Sequence, residues 1–218
     1  MERQQELEYE NEARFNHLHA IGKHIEDTLR EKIGSDLIQV DNPTRTEGNT
    51  IVEDVQNGQD IIVRIKNGEE WIDIFYVEVK SKWDFSEPAH MSTRQVRMAA
   101  LHPNEYALCC VDLRKHKHED LENLPTEIIL ECTNVKMGIG EILNPMLKAI
   151  LEADNRSDDE QIKISEYRSN MGASIFEKGD SLDVLLNTIE TKIRQKLSSM
   201  PSYSTEKSNE AYQGYLAR

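Results

Sequence analysis

Cysteines and long apolar runs are scarce in this sequence, and their scarcity excludes several classes of protein. The three cysteines, Cys109, Cys110 and Cys132, form no Cys-x-x-Cys pair, so the usual spacing of zinc and redox motifs is absent. We expect them to be buried, reduced thiols of an intracellular protein. No run of about 18 apolar residues occurs, and the first residues, MERQQE, do not resemble a signal peptide. The sequence therefore predicts a soluble, cytoplasmic protein with no membrane partner.

Positive charge is also in short supply. The 218 residues include 26 lysines and arginines against 40 aspartates and glutamates, which gives a net charge of −14. This balance disfavours tight, unaided binding of nucleic acid, because phosphate contacts need clustered cations. It leaves room for a local basic groove. The length suits one domain of ordinary size with a smaller appendage.

Apolar periodicity in the first part of the chain predicts a mixed sheet with helices packed on it. A helix with apolar residues at three-and-four spacing is expected over residues 7–33, ended by Gly34. The dipeptide Asn67-Gly68 between two β-rich runs predicts a hairpin. Ser92, with Gln95 three residues later, predicts a capping box and a short helix ending near His102. The expected strands are 36–40, 51–52, 60–66, 71–82, 105–112 and 127–132.

The second part of the chain predicts a small α/β appendage. A helix over residues 139–151, a polar linker over 154–160, a strand over 162–168 and a helix over 181–197 with Ser181 as its N-cap are expected. The predicted division is a core domain over residues 1–135, the appendage over 136–197 and a disordered or interacting tail over 198–218. We expect the appendage to pack on the core, because it is too small to bury a large core of its own.

The long strand over residues 71–82 organises these expectations. Alternation along the strand places Glu78 and Lys80 on one face. If the hairpin register permits, Asp60 at the start of the preceding strand lies near them, but a slip of one residue would turn the acids to opposite faces. An aspartate on one strand and Glu-x-Lys on its neighbour make up the donor set of a metal-dependent phosphodiesterase.

Cleavage of a phosphodiester needs an activated water and a stabilised, extra-negative phosphate, and Mg²⁺ or Mn²⁺ supplies both. Asp60 and Glu78 would bind the metal through carboxylate oxygens, and the Val79 carbonyl is a third possible ligand. Lys80 would orient the water or offset charge on the phosphate, and Gln95 would add a hydrogen bond. The catalytic candidates are therefore Asp60, Glu78, Lys80 and Gln95.

Simpler interpretations of the same residues remain open. A cross-strand glutamate and lysine pair is an ordinary surface feature, and it would leave the Asp60 and Glu78 carboxylates far apart. The capping box by itself explains Gln95. Glu26 lies at the edge of the apolar stripe of the first helix, where it is either a solvated side chain or a carboxylate that reaches a neighbouring strand end.

Five motifs in order resemble the PD-(D/E)xK nuclease superfamily, and within it the C-terminal domain of NO VEIN proteins. The motifs are GKHIE (22–26), GQDIIV (58–63), YVEVKS (76–81), MSTRQ (91–95) and EYAL (105–108). The resemblance covers about residues 10–115, with Gln59 standing where the superfamily often has proline. It implies a restriction-endonuclease-like fold with a helix-strand-hairpin-helix-strand core.

The resemblance also implies a function. Glu26, Asp60, Glu78 and Lys80 would converge in a Mg²⁺-dependent hydrolase site acting on nucleic acid, with DNA as the expected substrate. In this site Glu26 would be a metal ligand together with Asp60, Glu78 and the Val79 carbonyl. Such domains often belong to larger ATPase- or helicase-containing systems, and the residues after Met137 resemble a region of bacterial ATPase proteins of that kind. The alternative functions are a catalytically inactive nuclease-fold module for assembly or nucleic-acid sensing within a larger ATPase-containing system, and a plain α/β interaction domain.

Overall fold

The computed structural model describes residues 2–41, 50–53, 60–67, 70–84, 88–155 and 168–199. In chain order, the helices and strands are helix α1 (Glu2–Asp41), strands β1 (Thr50–Glu53), β2 (Ile61–Asn67), β3 (Glu70–Lys82) and β4 (Ala89–Met91), helix α2 (Thr93–Leu101), strand β5 (Tyr106–Asp112), helix α3 (Thr126–Glu131), strand β6 (Thr133–Met137), helix α4 (Ile139–Asn155), strand β7 (Ser169–Met171) and helix α5 (Leu182–Ser198). Two short 3-10 helices, Leu121–Asn123 and Ala173–Phe176, lie between them.

The strands form a five-stranded mixed sheet in the order β1-β2-β3-β5-β6 and a separate two-stranded ribbon of β4 and β7. Strands β3 and β5 run parallel, whereas the other neighbours in the sheet are antiparallel. The parallel pair requires a crossover, and α2 provides it between the two strands. The prediction of a mixed sheet flanked by helices is confirmed.

The two faces of the sheet are covered by different helices. Buried side chains of α1 and α5 join one apolar cluster with alternate residues of β2, β3 and β5. Residues of α2, α4, β4 and β7 form the second cluster on the opposite face. The fully buried residues of the two covering helices on the first face are Ile21, Ile25, Leu29, Ile33, Leu185, Ile189 and Ile193. The site candidates Asp60, Glu78 and Lys80 have the strand parity of the second face.

The hairpin of β2 and β3 contains a β-bulge that sets the register at the site. Near the turn Arg64 lies opposite Asp73, but Val63 lies opposite Phe75, so Ile74 has no partner on β2. Beyond the bulge Ile61 faces Val77, and the next position on each strand brings Asp60 beside Glu78. Without the extra residue, the register of the turn would set Asp60 against Val77 and turn the two acids apart.

The prediction that α1 ends at Gly34 and that residues 36–40 form a strand is wrong. The helix continues to Asp41. Ile33 and Leu37, four residues apart, are both buried and prolong the apolar stripe. Lys32 and Asp36 form an i,i+4 ion pair at 2.8 Å, which supports the extra helical turn. The expected β structure at residues 51–52 is confirmed as β1.

The predicted strand over residues 127–132 is also wrong, because these residues form α3. Glu127 lies in the first turn of this helix, where an acidic side chain interacts favourably with the helix dipole. Pairing with β5 falls instead on the next residues, Thr133–Met137, where the sequence predicted no strand. Their intermediate burial in every second position marks an edge strand.

The remaining predicted elements are confirmed where the structure describes them. The hairpin, α2 with its capping box, β5, α4 and α5 lie close to their predicted positions. Ser181 occupies the N-cap position of α5, although its side chain makes no capping hydrogen bond. The predicted strand over 162–168, most of the linker over 154–160 and nearly all of the tail over 198–218 lie outside the described residues. None of the described helices has the length and apolar character to cross a membrane.

Candidate functional site

The candidate site lies where β2 ends and β3 continues. The backbone N–H of Val79 donates a hydrogen bond of 2.7 Å to Oδ2 of Asp60, which is half-buried. This bond replaces the ladder bond that β2 no longer supplies. In an extended strand the N–H and C=O of one residue point to the same side. The Val79 carbonyl therefore also points towards Asp60, as a third metal ligand would.

Glu78 is the centre of the site, and it is fully buried. Its Oε1 accepts hydrogen bonds from Nζ of Lys80 and Nε2 of Gln95. Its Oε2 lies 3.5 Å from the hydroxyl of Tyr106 on β5. The Lys80 side chain is 20% exposed, so the ammonium group joins the buried carboxylate to the surface.

The capping box of α2 connects the helix to this carboxylate. Oε1 of Gln95 accepts a 2.8 Å hydrogen bond from the backbone N–H of Ser92, and the Ser92 hydroxyl accepts one from the N–H of Gln95. The amide nitrogen of Gln95 remains available and donates to Glu78. Capping and contact with the site are therefore two uses of one side chain, and the capping interpretation does not exclude the functional one.

Burial and the neighbouring carboxylates shift the pKa values of the site residues. Burial raises the pKa of Glu78 well above its usual value, the nearby Asp60 charge adds to the effect, and Lys80 opposes it. Burial lowers the pKa of Lys80, but the charges of Glu78, Asp60 and Glu26 raise it overall. Burial and the charges of Glu78 and Asp60 raise the pKa of Tyr106, which keeps its hydroxyl protonated. The site is therefore short of positive charge.

Glu26 of α1 acts on the site through its charge. Its half-buried side chain lies next to Ile25, which is fully buried against the sheet. The Glu26 charge raises the pKa of Lys80, but it contributes less than Glu78 or Asp60 does. Within the described residues, no three histidine, cysteine, aspartate or glutamate side chains are grouped closely enough to hold one ion. A metal at this site would take Asp60, Glu78, the Val79 carbonyl and water, with Glu26 in an outer position.

This donor set fits a hard divalent cation. Two carboxylates and a carbonyl offer only oxygen, which Mg²⁺ and Mn²⁺ prefer, and both ions keep several waters in protein sites. The buried Glu78 charge, only partly offset by Lys80, would gain from a cation. The opposite expectation, an ordinary surface pair of Glu78 and Lys80 with Asp60 far away, does not hold, because Glu78 is inaccessible and Asp60 lies beside it.

Tyr106 is the residue of the site to which sequence reasoning gave no role. It appears in the EYAL motif as part of an almost continuous apolar run, and nothing in that run separates a core tyrosine from one that faces a carboxylate. Its β-strand register supplies the missing information, because Tyr106 lies opposite Tyr76 and two residues before the partner of Glu78, on the same face.

Comparison with protein families gives one match. The family described as Protein NO VEIN, C-terminal matches residues 8–122, which is more than half of the chain. The chain belongs to the NO VEIN C-terminal family. The matched residues include α1, the hairpin, α2 and β5 with all the site candidates, whereas β6, α4 and α5 follow the NO VEIN match. No curated protein and no solved structure matches the chain.

Proposed function

We propose that this chain carries a divalent-metal-dependent phosphodiesterase site of the PD-(D/E)xK type, on a restriction-endonuclease-like fold, that acts on nucleic acid, with DNA as the first substrate to test. The observation that supports it most strongly is the placement of Asp60 beside the buried Glu78, with Lys80 bonded to the Glu78 carboxylate. The order of elements, helix, strand, hairpin, helix and strand, supports the same assignment.

Each residue has a distinct role in this proposal. Asp60, Glu78 and the Val79 carbonyl hold Mg²⁺ or Mn²⁺, which when bound supplies a nucleophilic water and offsets charge on the phosphate. Lys80 donates a hydrogen bond to the attacking water or to a phosphate oxygen, and Glu78 fixes the direction of its ammonium group. Gln95 donates a second hydrogen bond to Oε1 of Glu78, the oxygen that also accepts one from Lys80. Glu26 helps to keep Lys80 protonated.

An inactive nuclease-fold module in a larger ATPase-containing system is the second candidate. It is favoured by the net charge of −14, which opposes binding to a polyanion without help from a partner. The two candidates differ in the metal, because a structural module has no need to bind a divalent ion. Metal affinity therefore separates them before any substrate is known.

The test is calorimetric titration of Mg²⁺ and Mn²⁺ into the parent protein and into Asp60→Ala/Glu78→Ala. We expect binding by the parent protein and none by the double variant. Glu127→Ala/Glu131→Ala removes two exposed carboxylates of α3 and is the matched control, which should bind as the parent does. Absence of binding by the parent protein would refute the catalytic proposal for the isolated chain.

A second measurement tests the role of Lys80. Lys80→Met should retain Mn²⁺ binding but lower the rate of Mn²⁺-dependent DNA cleavage by roughly a hundredfold or more, because it removes a group that acts on the transition state. Plasmid nicking and release of nucleotides from labelled strands measure the rate. Equal cleavage by the parent and by Lys80→Met would show that Lys80 has only a structural role.

A further inference from the structure

The outer face of α2 carries two arginines next to Gln95 in the sequence. Arg94 immediately precedes Gln95, whose amide donates to Glu78, and Arg97 follows one turn later. Both arginines are exposed, whereas Val96, Ala99 and Ala100 form the buried side of the helix. Residues three apart on a helix are neighbours, with about 5–6 Å between their Cβ atoms. The two guanidinium groups therefore form one small cationic surface, here called the arginine pair.

Four described arginines, Arg14, Arg94, Arg97 and Arg168, have no ion-pair partner within the described residues, and only Arg94 and Arg97 are neighbours on one helix. Four other described arginines pair with acids, namely Arg30 with Asp27, Arg64 with Asp73, Arg114 with Asp112 and Arg194 with Glu190. Within the described residues neither Arg94 nor Arg97 has an ion-pair partner, although aspartates and glutamates outnumber lysines and arginines by 40 to 26.

The position of Arg94 is unfavourable for the helix itself. It lies in the first turn of α2, which contains no acidic residue. The N-terminus of a helix carries partial positive charge, so a cation there costs roughly 0.3–1 kcal/mol where an acid would stabilise. An anion brought to this surface removes that penalty. Planar guanidinium groups also match phosphate oxygens in pairs, which makes arginine suited to a nucleic-acid backbone.

We infer that the arginine pair binds backbone phosphates that flank the scissile phosphate of a nucleic-acid strand. This inference rests on the proposed function and adds to it the surface that holds the strand on either side of the scissile phosphate, because a single phosphodiester held at Lys80 has no second phosphate to place on α2. Arg94 and Arg97 are positioning residues in this scheme. They hold the strand across the N-terminal turn of the helix while Asp60, Glu78 and Lys80 act on one phosphate.

The experiment compares DNA binding by the parent protein, Arg94→Ala/Arg97→Ala and a control. Fluorescence anisotropy of a labelled single-stranded oligodeoxynucleotide, and of its duplex, is measured over a range of salt concentrations, in chelator and again with Mn²⁺. The control is Lys148→Ala/Lys196→Ala, which removes two exposed lysines from α4 and α5 and changes the net charge equally. Arg94→Lys/Arg97→Lys keeps the charge but loses the planar fork.

We expect the arginine-pair variant to bind DNA roughly tenfold more weakly and to show a smaller salt dependence. The slope of the logarithm of affinity against that of salt should fall by about 1.4 for a single strand and about 1.8 for a duplex, since two phosphate contacts are lost. The lysine-for-arginine variant should keep most of the slope. Equal losses in the arginine-pair variant and the control, an unchanged slope, or no binding by the parent protein would each overturn the inference.

Two further readouts separate this inference from the proposed function. Mn²⁺ titration and hydrolysis of bis(p-nitrophenyl) phosphate, a small diester, should be unchanged in the arginine-pair variant, because neither involves a flanking phosphate. Asp60→Ala/Glu78→Ala should lose both and still bind DNA in chelator. Failure of Mn²⁺ binding by the parent thus counts against the proposed function, and failure of the salt-slope difference counts against the arginine pair.

Discussion

At the scale of single residues, Glu78 has a conflict between stability and chemistry. It is fully buried, accepts hydrogen bonds from Lys80 and Gln95, and lies beside a second carboxylate. An ionised carboxyl in such a place is costly unless positive charge compensates it. The structure supplies one lysine for two acids, with a third acid, Glu26, close enough to act on the same lysine. The uncompensated acids therefore destabilise the folded protein when no cation is bound, and they favour binding of a cation.

The conflict predicts that Glu78→Gln stabilises the protein when no metal is present. A carboxyl whose pKa is raised on folding binds its proton more tightly in the folded state, so stability is lost as pH rises from the unfolded pKa through the folded one. Burial and Asp60 raise the pKa of Glu78 in this way. In chelator at neutral pH, the neutral variant should therefore be more stable than the parent protein.

Urea unfolding in EDTA at several pH values measures this effect. The parent protein should lose stability from mildly acidic to neutral pH more steeply than Glu78→Gln does. Glu127→Gln, at an exposed position of α3, serves as the comparison and should leave the curve unchanged. If Glu78→Gln is less stable than the parent at every pH, the neighbours of the carboxylate compensate its charge, and burial of Glu78 does not favour a bound cation.

At the scale of elements, α2 carries out two tasks with one short sequence. Ser92 and Gln95 satisfy the first backbone groups of the helix, and the same Gln95 donates to Glu78. The helix is packed on the sheet through Val96, Ala99 and Ala100. Its start is therefore fixed both by its own cap and by the carboxylate of the neighbouring strand, so a change in the cap reaches the site.

Ser92→Ala tests this coupling. Loss of an N-cap serine costs about 1 kcal/mol, within a range of roughly 0.5–2, and we expect the free energy of unfolding to fall by that amount. Because Gln95 then loses half of its capping box, Mn²⁺ affinity should weaken as well. Calorimetry and urea unfolding give the two values. Ser92→Asp, which retains a capping acceptor, should restore stability, whereas Mn²⁺ affinity unaffected by Ser92→Ala would show that the cap and the site are independent.

The elements also show how far sequence reasoning extends. Local signals placed the hairpin, the capping box of α2 and the buried run of β5, because Asn67, Ser92 and the residues 106–111 carry their information in near neighbours. The sequence predicts strands at residues 36–40 and 127–132, where the structure has helices, because β-branched and aliphatic residues suit either structure over short lengths. Tertiary contacts decided those cases, through burial of Leu37 and Ile129, and β6 was missed because pairing with β5 gives it its structure.

At the site the same division applies. Asp60, Glu78, Lys80 and Gln95 were identified from residue type and spacing, and the structure brings all four together. The register that joins Asp60 to Glu78 depends on the bulge at Ile74, which no local feature of the sequence indicates. Tyr106 and the arginine pair became recognisable only with the strand register and the buried face of α2 in hand.

At the scale of the whole molecule, the residues that follow the NO VEIN match complete the core. Leu182, Leu185, Ile189 and Ile193 of α5 are buried in the same apolar cluster as α1 and the sheet. The strand β6 pairs with β5 along its length. Arg114, just after β5, pairs with Asp112 and also lies 3.2 Å from Glu177, so a further contact joins the two parts.

This arrangement predicts that residues 8–122 do not fold on their own. Without α5 and β6, one face of α1 and one edge of β5 are exposed. The free energy lost with several fully buried aliphatic side chains then exceeds the few kcal/mol of free energy by which domains are stable. Circular dichroism and urea unfolding of this fragment should show no cooperative transition, whereas a fragment of residues 2–199 should unfold cooperatively. A cooperative, soluble fragment 8–122 would show that the later elements are an addition to a self-sufficient domain.

The bulge at Ile74 has a consequence for how this site is inherited. Side chains alternate along a strand, so the parity of the number of residues between the hairpin turn and Glu78 decides whether the two acids meet. Insertion or deletion of one residue in that interval leaves Asp60 and Glu78 in the sequence but places their side chains on opposite faces of the sheet, unless a second change restores the parity. The presence of the aspartate and of Glu-x-Lys in a relative is therefore not enough to indicate a working site. The number of residues between these two motifs must also place both acids on the same face of the sheet.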